Sequence, residues 1–202
     1  MRRATLHLKT ADPVLAVLID QVGPPRIPRL DADFTTLARS IVFQQLSAKV
    51  ARVIYDRVLA AASRGGRLSP GKVLRLGAGG LRPLGLSRQK AAYLVDLAGH
   101  TQSRRLKFRE LPHLTDEEVI ARLTQVKGIG VWTAQMFLIF ALGRPDVLPT
   151  GDLGIRSAMK RLYALDELPK PPQIERLAAS WRPYCSIACW YLWRSLDGPA
   201  GI

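Results

Sequence analysis

The chain has 202 residues, enough for one domain or two small lobes, and 48% of them are hydrophobic, which supplies a buried core and excludes a disordered chain. Its 30 Lys+Arg outnumber 16 Asp+Glu, and the formal net charge of +14 creates a field that attracts polyanions, although a merely basic soluble protein has the same balance. No apolar run reaches the roughly 20 residues of a membrane span, and no signal core follows the arginines of MRRATLHLKTADP, so a cytoplasmic protein, nucleoid-associated if prokaryotic, is expected.

Helical signals dominate along the chain. Asp12-Pro13 opens an apolar run, Val14, Leu15, Val17, Leu18 and Ile19, which stops at Gly23-Pro24-Pro25. Asp33-Phe34-Thr35-Thr36 starts a long helix with Leu37, Ile41 and Leu46 on one side and a break near Gln45. The next helix, 48–62, has Val50, Val53, Ile54 and Val58 at helical spacing. Gly65-Gly66 marks a loop, Ser69-Pro70 caps a helix, Gly77 to Gly80 and Gly85 punctuate short ones, and Ser87 opens another through 97. Thr115-Asp116-Glu117-Glu118 is a capping box before Val119, Ile120 and Leu123. Residues 131–142 are apolar nearly all round, which predicts a buried central helix. Helices near 154–162 and 173–179 precede a last one over 186–196. The only β-like stretch is 5–9, too short to seed a sheet, and there is no internal repeat. The chain reads as all-α.

Cys185 and Cys189 lie four apart on a helical segment, a spacing that fits neither a CxxC pair nor a zinc knuckle, so they are expected to pack in the core. His7, His100 and His113 are scattered and have no metal-ligand spacing.

The stretch LTQVKGIGVWTAQMFLIFALGRPDVLPTGDLGIR, 123–156, carries the chemistry. Two glycines around a β-branched residue between amphipathic helices read as a helix-hairpin-helix turn. Gly128 and Gly130 leave no Cβ between backbone and phosphate, Ile129 tucks into the junction, and the amides opening the second helix face an anion, with Lys127 adding charge. Such contacts position a duplex without reading its sequence. A plain connector is the alternative, and the net charge favours the grip. Asp152, past a Pro-bearing loop, is a single carboxylate that also suits an N-cap for the helix behind it.

These residues resemble a known family. VKGIGVWTAQM followed by LPTGDLGIR, with ARSIVFQQLSAKVARVIYDRV before and WRPYCSIACWYLWR after, is similar to the helix-hairpin-helix and Gly/Pro/Asp-loop superfamily of DNA glycosylases, in its AlkA-like 3-methyladenine DNA glycosylase II branch. The resemblance spans about 12–194. It implies two helical lobes with a cleft between them, 34–144 carrying the hairpin and 1–33 plus 145–202 carrying the acid. It also implies no N-terminal β-domain and no iron–sulfur cluster, since the four-cysteine motif is absent.

By the same resemblance Asp152 matches the catalytic aspartate. Cleavage of an N-glycosidic bond develops positive charge on C1′ and the sugar ring oxygen, and a fixed carboxylate stabilises that charge and orients or deprotonates water. Trp132 stands where bifunctional relatives carry an attacking lysine, which implies a monofunctional hydrolase without strand nicking. An indole face also attracts a cationic alkylated purine. Trp193 matches a second pocket tryptophan, with packing of the last helix as its alternative, whereas packing is favoured for Trp181 and Trp190. Met136 and Leu153 replace aromatic pocket residues of some relatives, which implies a wider pocket and a broad lesion range. Gln45, from FQQLS, is placed as the wedge that fills the gap left by an extruded base, where some relatives have Leu; Gln44 is a candidate helix-terminal hydrogen-bonder. Cys185 falls where a basic residue is common.

No cofactor is required on this reading. The carbonyls of Thr124, Val126 and Ile129 match those that hold a structural Na or K ion at the hairpin in the family. The implied partner is duplex DNA containing alkylated bases, with no membrane and monomeric action as the default. The implied reaction is release of 3-methyladenine, 7-methylguanine and related lesions by base flipping, the first step of base excision repair. The alternatives are a glycosylase for deaminated bases (hypoxanthine, uracil) and a non-catalytic helix-hairpin-helix binding module.

Overall fold

The computed structural model describes residues 1–196. Among them eleven α-helices and one short hairpin form two compact units, Met1–Arg29 with the chain from Gly143 onward, and Leu30–Leu142. The unit boundaries differ from the expected 34 and 144 because the Leu30 amide donates to the Phe140 carbonyl at 2.9 Å, which stitches the approach to the first long helix onto the end of the central one. Residues 197–202 of the expected second lobe lie outside the described residues.

The first unit opens with α1, Arg2–Ala11, so the β-like reading of 5–9 is corrected to helix. A strand would place Leu6 and Leu8 on one face; here Ala4 and Leu8, one helical turn apart, are buried and Leu6 is 69% exposed. Asp12 ends α1 and caps α2, Pro13–Val22, its Oδ1 accepting from the amides of Val14 (2.9 Å) and Leu15 (3.1 Å). Its Oδ2 accepts from Tyr163 Oη (2.6 Å) and Trp181 Nε1 (2.8 Å), so this buried carboxylate is satisfied by four donors. Helices α9 (Leu153–Leu162), α10 (Pro171–Leu177) and α11 (Cys185–Arg194) complete the unit. Its core joins Leu8, Leu15, Ile155, Met159, Trp181 and Cys189, among others, and Trp190 is also buried, as packing residues would be.

The second unit runs α3 (Phe34–Phe43), α4 (Ala48–Ala62), α5 (Pro70–Leu81, kinked at Gly77), α6 (Arg88–Gln102), α7 (Asp116–Leu123) and α8 (Val131–Phe137). Between α4 and α5, β1 (Ser63–Arg64) and β2 (Arg67–Leu68) pair antiparallel across Gly65-Gly66, both left-handed at φ 59 and 76. Asp33, Ser47 and Ser87 each accept an amide of the following turn, and both halves of the Thr115–Glu118 capping box are made, whereas Ser69 stands at the N-cap of α5 before Pro70 without a side-chain cap bond.

Two helix faces differ from expectation. In α4 the buried residues are Ala51, Ile54, Tyr55, Val58 and Ala62, while Val50 and Val53 are 48% and 47% exposed. The stretch 131–142 is buried only from Thr133 onward among its first residues, with Val131 and Trp132 about half exposed at 53% and 50%, and it changes to a π-helical stretch over Leu138–Leu142. Among the described residues no helix is long and apolar enough to cross a membrane.

Candidate active site

The hairpin is built between α7 and α8. Thr124 caps α7, its amide bonded to the Ile120 carbonyl at 2.9 Å. Val126 N donates to Leu123 O and Ile129 N to Val126 O, each at 3.1 Å, and these two bonds turn the chain back on itself. Ile129 is 3% exposed and fills the junction, as expected. Gly128 has φ +83, a conformation side chains rarely adopt, and a Cβ there would lie 2.1 Å from Tyr93 Cδ2. Gly130 is exposed and caps α8 without any side chain, so none of its own atoms covers the first α8 amides. Lys127 is exposed, and its backbone amide donates to Asp96 Oδ2 at 2.9 Å. This arrangement leaves the first turn of α8, with the positive end of its dipole, able to meet a phosphate.

Beside the hairpin, the turn after α3 carries Gln44 and Gln45. Gln44 Nε2 donates to the Gly128 carbonyl at 2.8 Å, which places Gln44 as a hydrogen-bonder to the hairpin. Gln45 is exposed and left-handed at φ 54. Gln44, Gln45, Phe43, Ser40, Trp132, Thr133 and Met136 line one hollow of ≈ 520 Å³. The sequence-derived residues Trp132, Met136 and Gln45 therefore share one wall. A second hollow of ≈ 100 Å³ starts from Ser40, Thr133 and Met136 and continues to Leu37, Phe137 and Phe140.

Asp152, Leu153 and Trp193 belong to the other unit. Asp152 is 8% exposed and caps α9, its Oδ1 accepting from the Ile155 amide at 2.8 Å. Trp193 Nε1 donates to the same Oδ1 at 2.9 Å. Asp152 is therefore the N-cap of α9, with two donors converging on one of its carboxylate oxygens. The Trp193 bond spans 41 residues of sequence and no local pattern announced it. Gly154 explains how the indole comes so near: a Cβ there would meet Asp152 Oδ1 at 3.0 Å and Trp193 Cδ1 at 3.1 Å. Leu153, at the first position of α9, is 63% exposed.

Cys185 does not sit alone. Its amide donates to Asp146 Oδ1 at 3.2 Å, and Arg182 pairs with Asp146 Oδ2 at 2.8 Å. Burial pushes the Cys185 thiol up to about 12, helped by its hydrogen bond to Asp146, and burial raises the Cys189 thiol as well. Both are therefore neutral thiols at pH 7. Asp146 raises the pKa of Arg182 in turn, so the position where a basic residue is common holds a buried thiol beside an Asp146–Arg182 pair. Among the described residues no group of His, Cys, Asp and Glu could hold a metal ion.

A glycine-flanked turn between α7 and α8, in a chain that also holds a buried acid on two donors, has the features of a helix-hairpin-helix protein acting on nucleic acid. The chain belongs to the HhH-GPD superfamily of base excision DNA repair proteins, whose model matches residues 38–183. It is similar to DNA-3-methyladenine glycosylase 1 of Schizosaccharomyces pombe, at 33% identity over 96% of this chain and 87% of that protein. A Bacillus subtilis relative, 33% identical over 90% of this chain, is longer, and the chain spans 65% of it. Among solved structures, the S. pombe 3-methyladenine DNA glycosylase in complex with abasic DNA superposes with a TM-score of 0.85 at 33% identity, over 96% of each chain. A DNA-3-methyladenine glycosidase from Bacillus halodurans gives 0.84 at 37% identity, over 96% of this chain and 90% of that one.

Proposed function

We propose that this protein is a monofunctional DNA glycosylase that hydrolyses the N-glycosidic bond of alkylated purines, 3-methyladenine, 7-methylguanine and related lesions, in duplex DNA, as the first step of base excision repair. The observation that carries the reading is Asp152, buried and held on Oδ1 by Ile155 N and Trp193 Nε1 in a chain of the HhH-GPD superfamily. The named activities of its relatives, 3-methyladenine glycosylases over most of the chain, support the substrate class.

In this mechanism the hairpin amides and Lys127 hold the backbone, Gln45 enters the stack, and Trp132 and Met136 receive the extruded base. The glycosidic bond breaks with its electron pair going to the purine, which leaves neutral because alkylation had made it a cation. Positive charge grows on C1′ and the ring oxygen, and the Asp152 carboxylate stabilises it. Water attacks C1′ and gives its proton to Asp152 or to solvent, leaving an abasic sugar. The indole of Trp132 favours a cationic base by about 0.5–2 kcal/mol. Tryptophan is not an amine nucleophile, so no Schiff base forms at that position and the strand stays whole. Trp193 serves here as the hydrogen-bond partner of the acid as well as a pocket residue, and Leu153 lies next to the acid in sequence.

A Na or K ion at the carbonyls of Thr124, Val126 and Ile129 would be structural. The Val126 carbonyl accepts from Ile129 N and keeps a second lone pair, and an all-carbonyl donor set suits a monovalent cation. Such an ion would add positive charge beside the bound phosphate, and the reaction needs no cofactor. The enzyme is proposed to act on DNA as a monomer.

The test is incubation with chemically methylated duplex DNA and chromatography of the released bases, with strand integrity followed on a denaturing gel. Free 3-methyladenine and 7-methylguanine, with strand breaks only after alkali, are expected. Tight duplex binding without any free base would make the protein a binding module. Release of hypoxanthine or uracil but not of methylpurines would change the substrate class.

A further inference from the structure

Helix α6 turns one face, Lys90, Tyr93 and Asp96, to two functional segments at once. Lys90 Nζ donates to the carbonyls of Val42 (2.7 Å) and Gln44 (2.5 Å), where α3 ends. The Tyr93 ring lies against Gly128, and Asp96 Oδ2 takes the Lys127 amide. Positions i, i+3 and i+6 follow one another along a helix over about 9 Å, so α6 acts as a ruler between the glutamine turn and the hairpin. Gln44 closes the circuit with its own bond to the Gly128 carbonyl.

The turn needs such support. Gln45 is a non-glycine residue at φ 54, a conformation that persists only where the surroundings over-determine it. The Lys90 ammonium meets the carbonyl end of α3, where the helix dipole favours a cation. Burial lowers its pKa, consistent with an ammonium that has exchanged water for these carbonyls.

We propose that Lys90 is a positioning residue for base extrusion: its two carbonyl bonds hold the Gln44-Gln45 turn at a set distance from the phosphate-gripping hairpin, so that Gln45 is aimed into the stack when the hairpin seats on the backbone. The proposal rests on the reading of Gln45 as the wedge. Lys90 touches no reacting atom, and its effect is confined to substrates in which a base pair must be broken.

The experiment is single-turnover release of 7-methylguanine from two duplexes of one sequence, the lesion paired with cytosine in one and opposite an abasic analogue in the other. Lys90→Met keeps the apolar stem and removes the donors; loss of two charge-assisted bonds is expected to slow the paired substrate by about 10- to 100-fold and the unpaired one by less than about threefold. Gln45→Ala is expected to show the same selective loss, and the double variant to be no slower than the slower single one. Lys90→Cys alkylated with bromoethylamine rebuilds an ammonium of lysine length and is expected to recover the paired rate, the buried Cys185 and Cys189 being spared. Equal losses on the two duplexes, additive losses in the double variant, or no recovery after alkylation would overturn the role of Lys90. A Gln45→Ala enzyme without pair-selective loss would overturn the wedge reading itself, and the proposal with it.

Discussion

Replacing Gly128 by alanine puts a methyl carbon 2.1 Å from Tyr93 Cδ2 and 2.5 Å from its Cγ, on a backbone held at φ +83. The left-handed conformation costs an alanine about 1–2 kcal/mol, and the overpacking about 1–3 kcal/mol more, because the clash reaches Tyr93 Cγ as well as the ring edge. Gly128→Ala is therefore expected to lose about 2–5 kcal/mol of stability, and at this chain length each kcal/mol lowers Tm by about 2–4 °C. Gly130→Ala is the contrasting perturbation. Nothing lies within 4 Å of a Cβ at Gly130, and its φ of −91 suits any residue. A poorer N-cap and a less flexible unfolded chain nearly offset each other, leaving stability within about 1 kcal/mol of wild type. On the proposed phosphate grip its added methyl would narrow the approach to the start of α8, and duplex affinity is expected to fall by about tenfold, the worth of one phosphate hydrogen bond. Thermal melting by circular dichroism and fluorescence anisotropy with a labelled duplex at fixed salt separate the two effects. A Gly128→Ala protein that melts with wild type, or a Gly130→Ala protein that binds with wild-type affinity, would refute this account of the turn.

Three further outcomes follow from particular contacts. Trp193→Phe keeps an aromatic ring and deletes the donor to Asp152 Oδ1, so single-turnover base release should fall by about tenfold or more while the melting temperature stays within a few degrees; an unchanged rate would make that bond dispensable. Trp132→Ala should lower release of cationic 7-methylguanine by about 3- to 30-fold relative to neutral hypoxanthine, measured on matched duplexes, and equal losses would remove the cation–π argument. Burial and the Asp12 bond raise the Tyr163 pKa above its ordinary value, so the folded state holds its proton more tightly than the unfolded chain. The sign is that stability is intact below the unfolded phenol pKa of about 10 and declines as pH rises above it, by at most ~1.4 kcal/mol per pH unit for this one group. Urea titrations between pH 8 and 11 should show a shallower decline in Tyr163→Phe, with burial of Tyr191, whose phenol is pushed up to about 12, supplying part of what remains; identical slopes would contradict the linkage.

What the amino-acid order made legible was local. Asp12, Asp33, Ser87 and Thr115 each cap the helix that follows, because a short polar side chain before an apolar run needs only amides two or three residues away. The turn was legible for the same reason, since Val126 N bonds to Leu123 O, Ile129 N bonds to Val126 O and Ile129 is buried at the junction, all within a few residues. The remainder depends on distant partners. The bonds of Asp12 to Tyr163 and Trp181 cross 151 and 169 positions, and those of Lys90 to Val42 and Gln44 cross 48 and 46. Residues 5–9 looked β-like because Leu6 and Leu8 alternate with polar residues, yet burial of Ala4 and Leu8 decides for helix. Apolar spacing in α4 likewise included Val50 and Val53, whereas the buried face is set by Ala51, Tyr55 and Val58. For the site, Asp152 and Trp193 were each singled out from the motifs, but their shared hydrogen bond was not, since it joins α11 to the cap of α9.

Whether Asp152 performs the chemistry is decided by base release from Asp152→Asn. Asparagine also caps helices well, and its carbonyl oxygen can still accept from Ile155 N and Trp193 Nε1, so fold and duplex affinity should be retained. What is lost is the negative charge that the proposed mechanism sets against C1′. Single-turnover release of 7-methylguanine from a paired duplex is expected to fall by at least about 100-fold in Asp152→Asn, with duplex affinity within about threefold of wild type. Release at the wild-type rate by that variant would contradict the account.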